Sequence, residues 1–305
     1  MTKAFNFLDV VKTYPEFQLG PLNLELEPGT VLGYVGPNGS GKTTTMHCLM
    51  GLVKCDQGRM EVFGRENDPN RPAWKYDIGY VGDVHVFYER WTAEKNLKFL
   101  SQFYPNWSDD HVTELVKRFE LPLQKRAKDL SGGNRVKLSL ISALAHSPKL
   151  LLLDEPTAGL DPVVRSEVLD VLFDVLEDGE RAIFYSTHIL SDISRLADEL
   201  AFLNEGRLLK RAAKDDLTDA WRKISFRYKG DDLQADAVVE YRREGNDHHV
   251  VSSDRVATLR SIESVRADNV LENRMTIDEI AVHILKGFRN SSIESTNKMR
   301  DEGQR

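Results

Sequence analysis

The sequence predicts an α/β fold with a mainly parallel sheet, an inserted helical subdomain over about residues 84–148, and a small α+β appendix at the C-terminus. Three observations predict it. Val31–Val35, Leu150–Leu153 and Ala182–Tyr185 are short, almost wholly apolar runs. That is the length and composition of strands covered on both faces. Amphipathic stretches of helical length lie between them. After about Asp216 the pattern shifts to short segments of alternating polarity, so a first domain is expected over 1–215 and a second over 216–287.

Each element has its own reason. A helix is predicted over Ser40–Leu52, directly after the first strand. Thr92–Tyr104 and Asp109–Phe119 carry apolar residues at helical spacing, parted by the turn-prone Pro105-Asn106-Trp107-Ser108. In the C-terminal segment, Ile224–Tyr228, Val238–Tyr241 and His249–Val251 read as strands, and Arg255–Ile262 as a helix. Thr276-Ile277-Asp278-Glu279 is a capping box that opens a last helix to about Lys286. Residues 288–305 are polar and expected to be disordered.

Composition bounds the function. Hydrophobic residues make up 41% and charged residues 29% of the 305, enough for a proper core. A formal net charge of −7 argues against a protein built mainly to hold nucleic acid, and no direct nucleic-acid contact is expected. Cys48 and Cys55 are the only cysteines and read as small core residues. With neither a secretory leader nor a spanning apolar run, a cytoplasmic chain is expected, and any membrane role comes through a partner.

The chemistry sits in two motifs. Gly36-Pro37-Asn38-Gly39-Ser40-Gly41-Lys42-Thr43, with Thr44 following, fits the phosphate-loop pattern between a strand and a helix. Glycines let the backbone wrap around phosphates with its N–H groups inward, and the helix start adds positive potential. Lys42 is expected to reach the β- and γ-phosphates, and the Thr43 hydroxyl to ligate Mg²⁺. The run Leu150–Leu153 ends in Asp154 and Glu155. Asp154 is placed beside the metal, and Glu155 can serve as general base for water. Together these predict a P-loop NTPase.

Leu130-Ser131-Gly132-Gly133-Asn134, just upstream, makes residues 4–215 resemble the nucleotide-binding subunit of an ATP-binding cassette transporter. Physically, Ser131 and the two glycines open a helix from Asn134 to His146, giving a second anion-binding helix start. The resemblance implies ATP and Mg²⁺ as cofactors. It also implies a second nucleotide-binding subunit whose phosphate loop faces Leu130–Gly133. Tyr14 stands where the family stacks an aromatic residue on adenine. Asp161, in Gly159-Leu160-Asp161, resembles the loop that couples the two sites, and His188 matches the histidine that contacts the γ-phosphate. Two positions depart from the family pattern. Asp83 stands where glutamine usually contacts magnesium, and Asn134 replaces a glutamine after the signature.

The implied partners are transmembrane permease subunits, with the chain peripheral on the inner face of the membrane. The C-terminal segment resembles tails of single-cassette subunits from bacterial export-type systems. The competing class is a soluble cassette ATPase acting on nucleic acid or ribosomes, and a third is a regulatory subunit. The intact Lys42, Asp154, Glu155 and His188 argue against the third. His85 and the pair His248-His249 read as surface residues without companion metal ligands. Phe87-Tyr88-Glu89-Arg90-Trp91 fits either a partner interface or a core contribution.

Overall fold

The computed structural model describes residues 2–287 apart from Pro69, His85, Glu177, Asp178 and Gln234. The readings made for His85 and for the tail 288–305 therefore lie outside the described residues. The chain divides into two compact units, Met1–Leu208 and Leu209–Arg305. This division comes earlier than the expected boundary at 215, inside a strand.

The first unit opens with the hairpin β1 (Phe5–Tyr14) and β2 (Phe17–Leu26), then β3 (Val31–Val35) and α1 (Lys42–Leu49). β4 (Gln57–Val62), β5 (Arg65–Glu66) and β6 (Ile78–Val81) follow. A helical region then holds α2 (Ala93–Leu100), α3 (Asp109–Arg118) and α4 (Gly132–Leu144). The chain returns through β7 (Leu150–Asp154), α5 (Pro162–Leu176), β8 (Ala182–Thr187), α6 (Leu190–Leu196) and β9 (Glu199–Asn204). β10 (Arg207–Ala213) runs across the division between the units.

Five of these strands run parallel in the order β9-β3-β8-β7-β6. β3, β7 and β8 are buried at every position, which is why their composition alone betrays them. A second sheet, β2-β1-β4-β5, is antiparallel at each pairing and was not expected. Its apolar face joins the main core, where Phe5 packs against Phe184 of β8 at 5.0 Å between ring centres. The helix after β3 starts at Lys42, later than the expected Ser40, because residues 36–41 are used as a loop.

The second unit contains α7 (Lys214–Ala220), β11 (Arg222–Arg227), β12 (Val238–Glu244), β13 (Asp247–Ser252), α8 (Arg255–Ser264) and β14 (Asp268–Arg274), then a helix over 277–287. Its sheet has the order β12-β13-β11-β14 and is antiparallel throughout. The capping box is formed: Thr276 N–H donates to Glu279 Oε2 at 2.9 Å and Glu279 N–H to Thr276 Oγ1 at 3.3 Å. One expectation is corrected here. His248 is fully buried: it stacks on Phe226, meets the Tyr241 hydroxyl through Nδ1 at 2.6 Å and the Tyr228 carbonyl through Nε2 at 2.9 Å. It is a satisfied core histidine, and only His249 is exposed. Among the described residues no helix is long and apolar enough to cross a membrane.

Candidate functional site

The phosphate loop is fixed by what surrounds it. A Cβ on Gly36 would lie 2.3 Å from the Leu203 carbonyl oxygen. Gly41 has φ +110°, and a Cβ there would lie 2.9 Å from Phe17 Cζ. No side chain is tolerated at either place, so glycine is a steric requirement. The Thr45 hydroxyl, 3.2 Å from the Tyr34 hydroxyl, fastens α1 to β3. This holds the helix start, with its free N–H groups, above the end of the strand.

Lys42 is buried and turned inward. Its ammonium donates to the Gly36 carbonyl at 2.8 Å and the Pro37 carbonyl at 3.3 Å, and lies 3.2 Å from Glu155 Oε1. The contact with Glu155 is a close charge pair without hydrogen-bond alignment, since Oε1 has no hydrogen-bond partner. Asp154 ends β7 with no exposed surface. Its Oδ1 accepts from the Ser186 hydroxyl at 2.5 Å, while Oδ2 is buried with no partner. An orphaned buried carboxylate oxygen is costly unless a cation completes it. Thr43, exposed on the nucleotide cleft, adds a hydroxyl, so the two residues offer an all-oxygen donor set, as magnesium requires.

Glu155 sits at φ +51°, a left-handed conformation that non-glycine residues adopt at a cost of about 1 kcal/mol or more. Its N–H is held by the Ser186 carbonyl at 3.0 Å, so β7 and β8 together aim its side chain. Oε2 accepts from the His188 N–H at 3.2 Å and contacts His188 Nδ1 at 2.8 Å. Tyr80, on β6, has its hydroxyl pKa pushed up to about 12 by burial and then by the charges of Asp154 and Asp83. Asp83 and Asp154 are thus both close enough to be felt by the Tyr80 hydroxyl.

These residues share one cleft of about 840 Å³. Tyr14, Asn38, Gly39, Gly41, Lys42, Thr43, Thr44, Asp83, Glu155 and His188 line it, together with Glu16, Phe17 and Ala158. The last three were missed in the sequence. Phe17 faces Tyr14 across the β1–β2 turn, ring centres 6.4 Å apart, and the hairpin that places it carried no motif. Gly36, Pro37, Ser40, Leu130, Ser131, Gly132, Gly133, Asp154 and Asp161 do not line the cleft, Asp154 lying wholly buried behind it. Ser131 caps α4, its hydroxyl accepting from the Asn134 N–H at 3.3 Å, and Gly132 faces open space. The Asp161 carboxylate caps α5, accepting from the Val163 and Val164 N–H groups at 3.0 and 3.1 Å.

A phosphate loop between β3 and α1, with paired acids ending a strand of the same parallel sheet, defines a P-loop ATPase. Comparison with known proteins narrows this. The family model described as ABC transporter matches residues 19–158. The chain is 32% identical over 213 residues to the ABC transporter ATP-binding protein YtrB of Bacillus subtilis (strain 168), covering 70% of this chain and 73% of that one. It is 33% identical over 258 residues to the bacitracin transport ATP-binding protein BcrA of Bacillus licheniformis, covering 82% and 83%. A solved ATP-binding subunit of an ABC transporter superposes with a TM-score of 0.65 at 25% identity, covering 71% of this chain and 92% of that one. The chain belongs to the ABC transporter family, as an ATP-binding subunit with ATPase activity.

Proposed function

We propose that this chain hydrolyses MgATP in a head-to-tail dimer and drives export through separate transmembrane subunits on the cytoplasmic face of a membrane. One observation carries the reading. The glycine-bearing starts of α1 and α4 both resemble anion sites, and of these two only the first lines the nucleotide cleft. Ser131 and Gly132 stand free of it, which supports a phosphate supplied to the second start by another subunit.

The chemistry follows from the cleft. As triphosphate enters, Lys42 exchanges its pairing with Glu155 for the β- and γ-phosphates, which frees the carboxylate. Thr43 and Asp154 would hold Mg²⁺, with Asp83 meeting it through water, and the ion would neutralise charge on the β- and γ-oxygens. Glu155 takes a proton from a water whose oxygen bonds to the γ-phosphorus. The bond to the β–γ bridging oxygen breaks, and ADP leaves with that electron pair. His188, in contact with Glu155 and half exposed on the cleft, orients the water.

An aromatic cluster supports the membrane partner. Tyr88 stacks on Trp91 at 4.2 Å, Phe99 sits against both edge-on, and Phe103 continues the row. Val86, Tyr88 and Phe103 are exposed, an apolar surface suited to a docking element. The outward direction rests on the resemblance of the C-terminal segment to the tails of export-type subunits.

A photo-crosslinker placed at Val86 or Phe103 in native membranes tests this. The expected product joins the chain to a multi-spanning protein. Recovery only from the soluble fraction, bound to ribosomes or nucleic acid, overturns the transporter role and leaves the ATPase in place.

A further inference from the structure

Asp192 lies in the first turn of α6, four residues beyond His188, and is 1% exposed. A buried carboxylate is expensive unless every lone pair is used. Here the partners come from three separate parts of the chain. Oδ1 accepts from Arg165 Nε at 2.6 Å and pairs with the other arm of the same guanidinium at 2.5 Å. Oδ2 accepts from the Thr157 hydroxyl and from the Tyr185 hydroxyl, the latter at 3.2 Å. The two hydroxyls are 3.1 Å apart with both protons committed to Asp192. Burial and the Asp192 charge hold the Tyr185 pKa well above its ordinary value, so it remains a donor.

The positions of these partners give the arrangement its meaning. Thr157 is two residues after Glu155, Tyr185 is three before His188, and Arg165 is four after Asp161. One carboxylate therefore fastens the loop carrying the proposed base to the strand leading to His188, and both to α5. His188 itself is half exposed, and both its N–H and its Nδ1 meet Glu155 Oε2. Asp192 and its donors thus lie behind the loop and the strand that carry Glu155 and His188.

We infer that Asp192, acting through Thr157, is a positioning residue for hydrolysis, holding Glu155 and His188 in register without touching the nucleotide. The inference rests on the proposed roles of Glu155 and His188. It separates binding from turnover, because the Asp192 bonds run to Thr157, Tyr185 and Arg165, while Lys42 is held by the Gly36 and Pro37 carbonyls of the phosphate loop.

Thr157→Val tests this with the least disturbance, since it keeps the side-chain shape and removes the hydroxyl that Asp192 holds. We expect kcat to fall about 10- to 100-fold, with the Kd for MgATP within about twofold of wild type. Thr157→Ser, which restores the hydroxyl, returns kcat to near wild type. Asp192→Asn shows the same split, and neither substitution lowers kcat further when combined with Glu155→Gln. Wild-type kcat in Thr157→Val overturns the inference. So does a loss that Thr157→Ser shares, or one matched by weaker ATP binding and a lower Tm, which would mark a structural role alone. The underlying reading is checked in the same series. If Glu155→Gln alone turns over at the wild-type rate, the base is misassigned. If Glu155→Gln is inactive while Thr157→Val is normal, only the positioning role falls.

Discussion

Replacing Glu155 with Gln should alter binding and turnover in opposite directions. The Lys42 ammonium is 3.2 Å from Glu155 Oε1, and both side chains are close to buried. At an effective dielectric near 20 that separation corresponds to about 5 kcal/mol of Coulomb attraction. ATP must displace this pairing before Lys42 can meet the phosphates. The carboxylate also stays beside the arriving γ-phosphate, where its charge repels. Glutamine removes both opposing effects while keeping the shape. If about a quarter of the Coulomb term is recovered, Kd for ATP tightens about tenfold. Loss of the general base should lower kcat about 10²- to 10⁴-fold. Equilibrium binding of a fluorescent ATP analogue, beside phosphate release at saturating MgATP, reads both quantities. Tighter binding with wild-type turnover would remove Glu155 from the chemistry. Slow turnover with unchanged or weaker binding would show that the Lys42 pair does not oppose nucleotide.

Three further outcomes are expected. Chelating Mg²⁺ should stop phosphate release, and Asp154→Asn should raise the Mg²⁺ needed for half-maximal rate by about tenfold or more; a variant with the wild-type requirement would mean that the orphaned Oδ2 is not the metal oxygen. Burial lowers the pKa of His146, which lies against the Ile78 carbonyl at 3.0 Å and stacks on Tyr104. Below pH about 6.5 the unfolded chain then binds more protons than the folded one. Tm should therefore fall from pH 7 to pH 5, with a shallower fall in His146→Gln; the remainder is assigned to His111, also lowered by burial. Thr276→Ala, which breaks the capping box, should cost about 1 kcal/mol in urea unfolding of the second unit.

Legibility in the sequence followed the range over which each residue acts. The phosphate loop, the Asp154-Glu155 pair and the α4 start work through backbone next to them, so their spacing in sequence is their spacing in space. β3, β7 and β8 were visible because burial on both faces leaves only apolar residues. The antiparallel sheet was not visible, for reasons written in its strands. β1 has register shifts between Phe7 and Val10 and between Val10 and Lys12, which break alternation. β2 contains Gly20-Pro21, a pair that reads as a turn. β14 is exposed along its whole length and has no apolar period to detect. His248 was misread because its partners, Tyr241, Tyr228 and Phe226, come together only through sheet pairing. The Asp192 network joins residues up to 35 positions apart, and no local pattern announces it.

The same network bears on how the two ends of the molecule act on each other. α5 begins at a cap made by Asp161, and within its first two turns it touches both functional regions. A Cβ on Gly133 would lie 3.0 Å from Val164 Cγ1, so the second glycine of the α4 start lets α5 approach closely. Arg165 reaches Asp192 behind the hydrolytic pair. Glu167 meets Lys137 of α4 at 2.6 Å, and the same ammonium donates to the Phe119 carbonyl of the helical region at 3.1 Å. In the proposed dimer, α4 of one chain meets the partner's nucleotide while Glu155 serves its own. The first two turns of α5 then touch α4 through Val164 and Glu167 and the Asp192 network through Arg165.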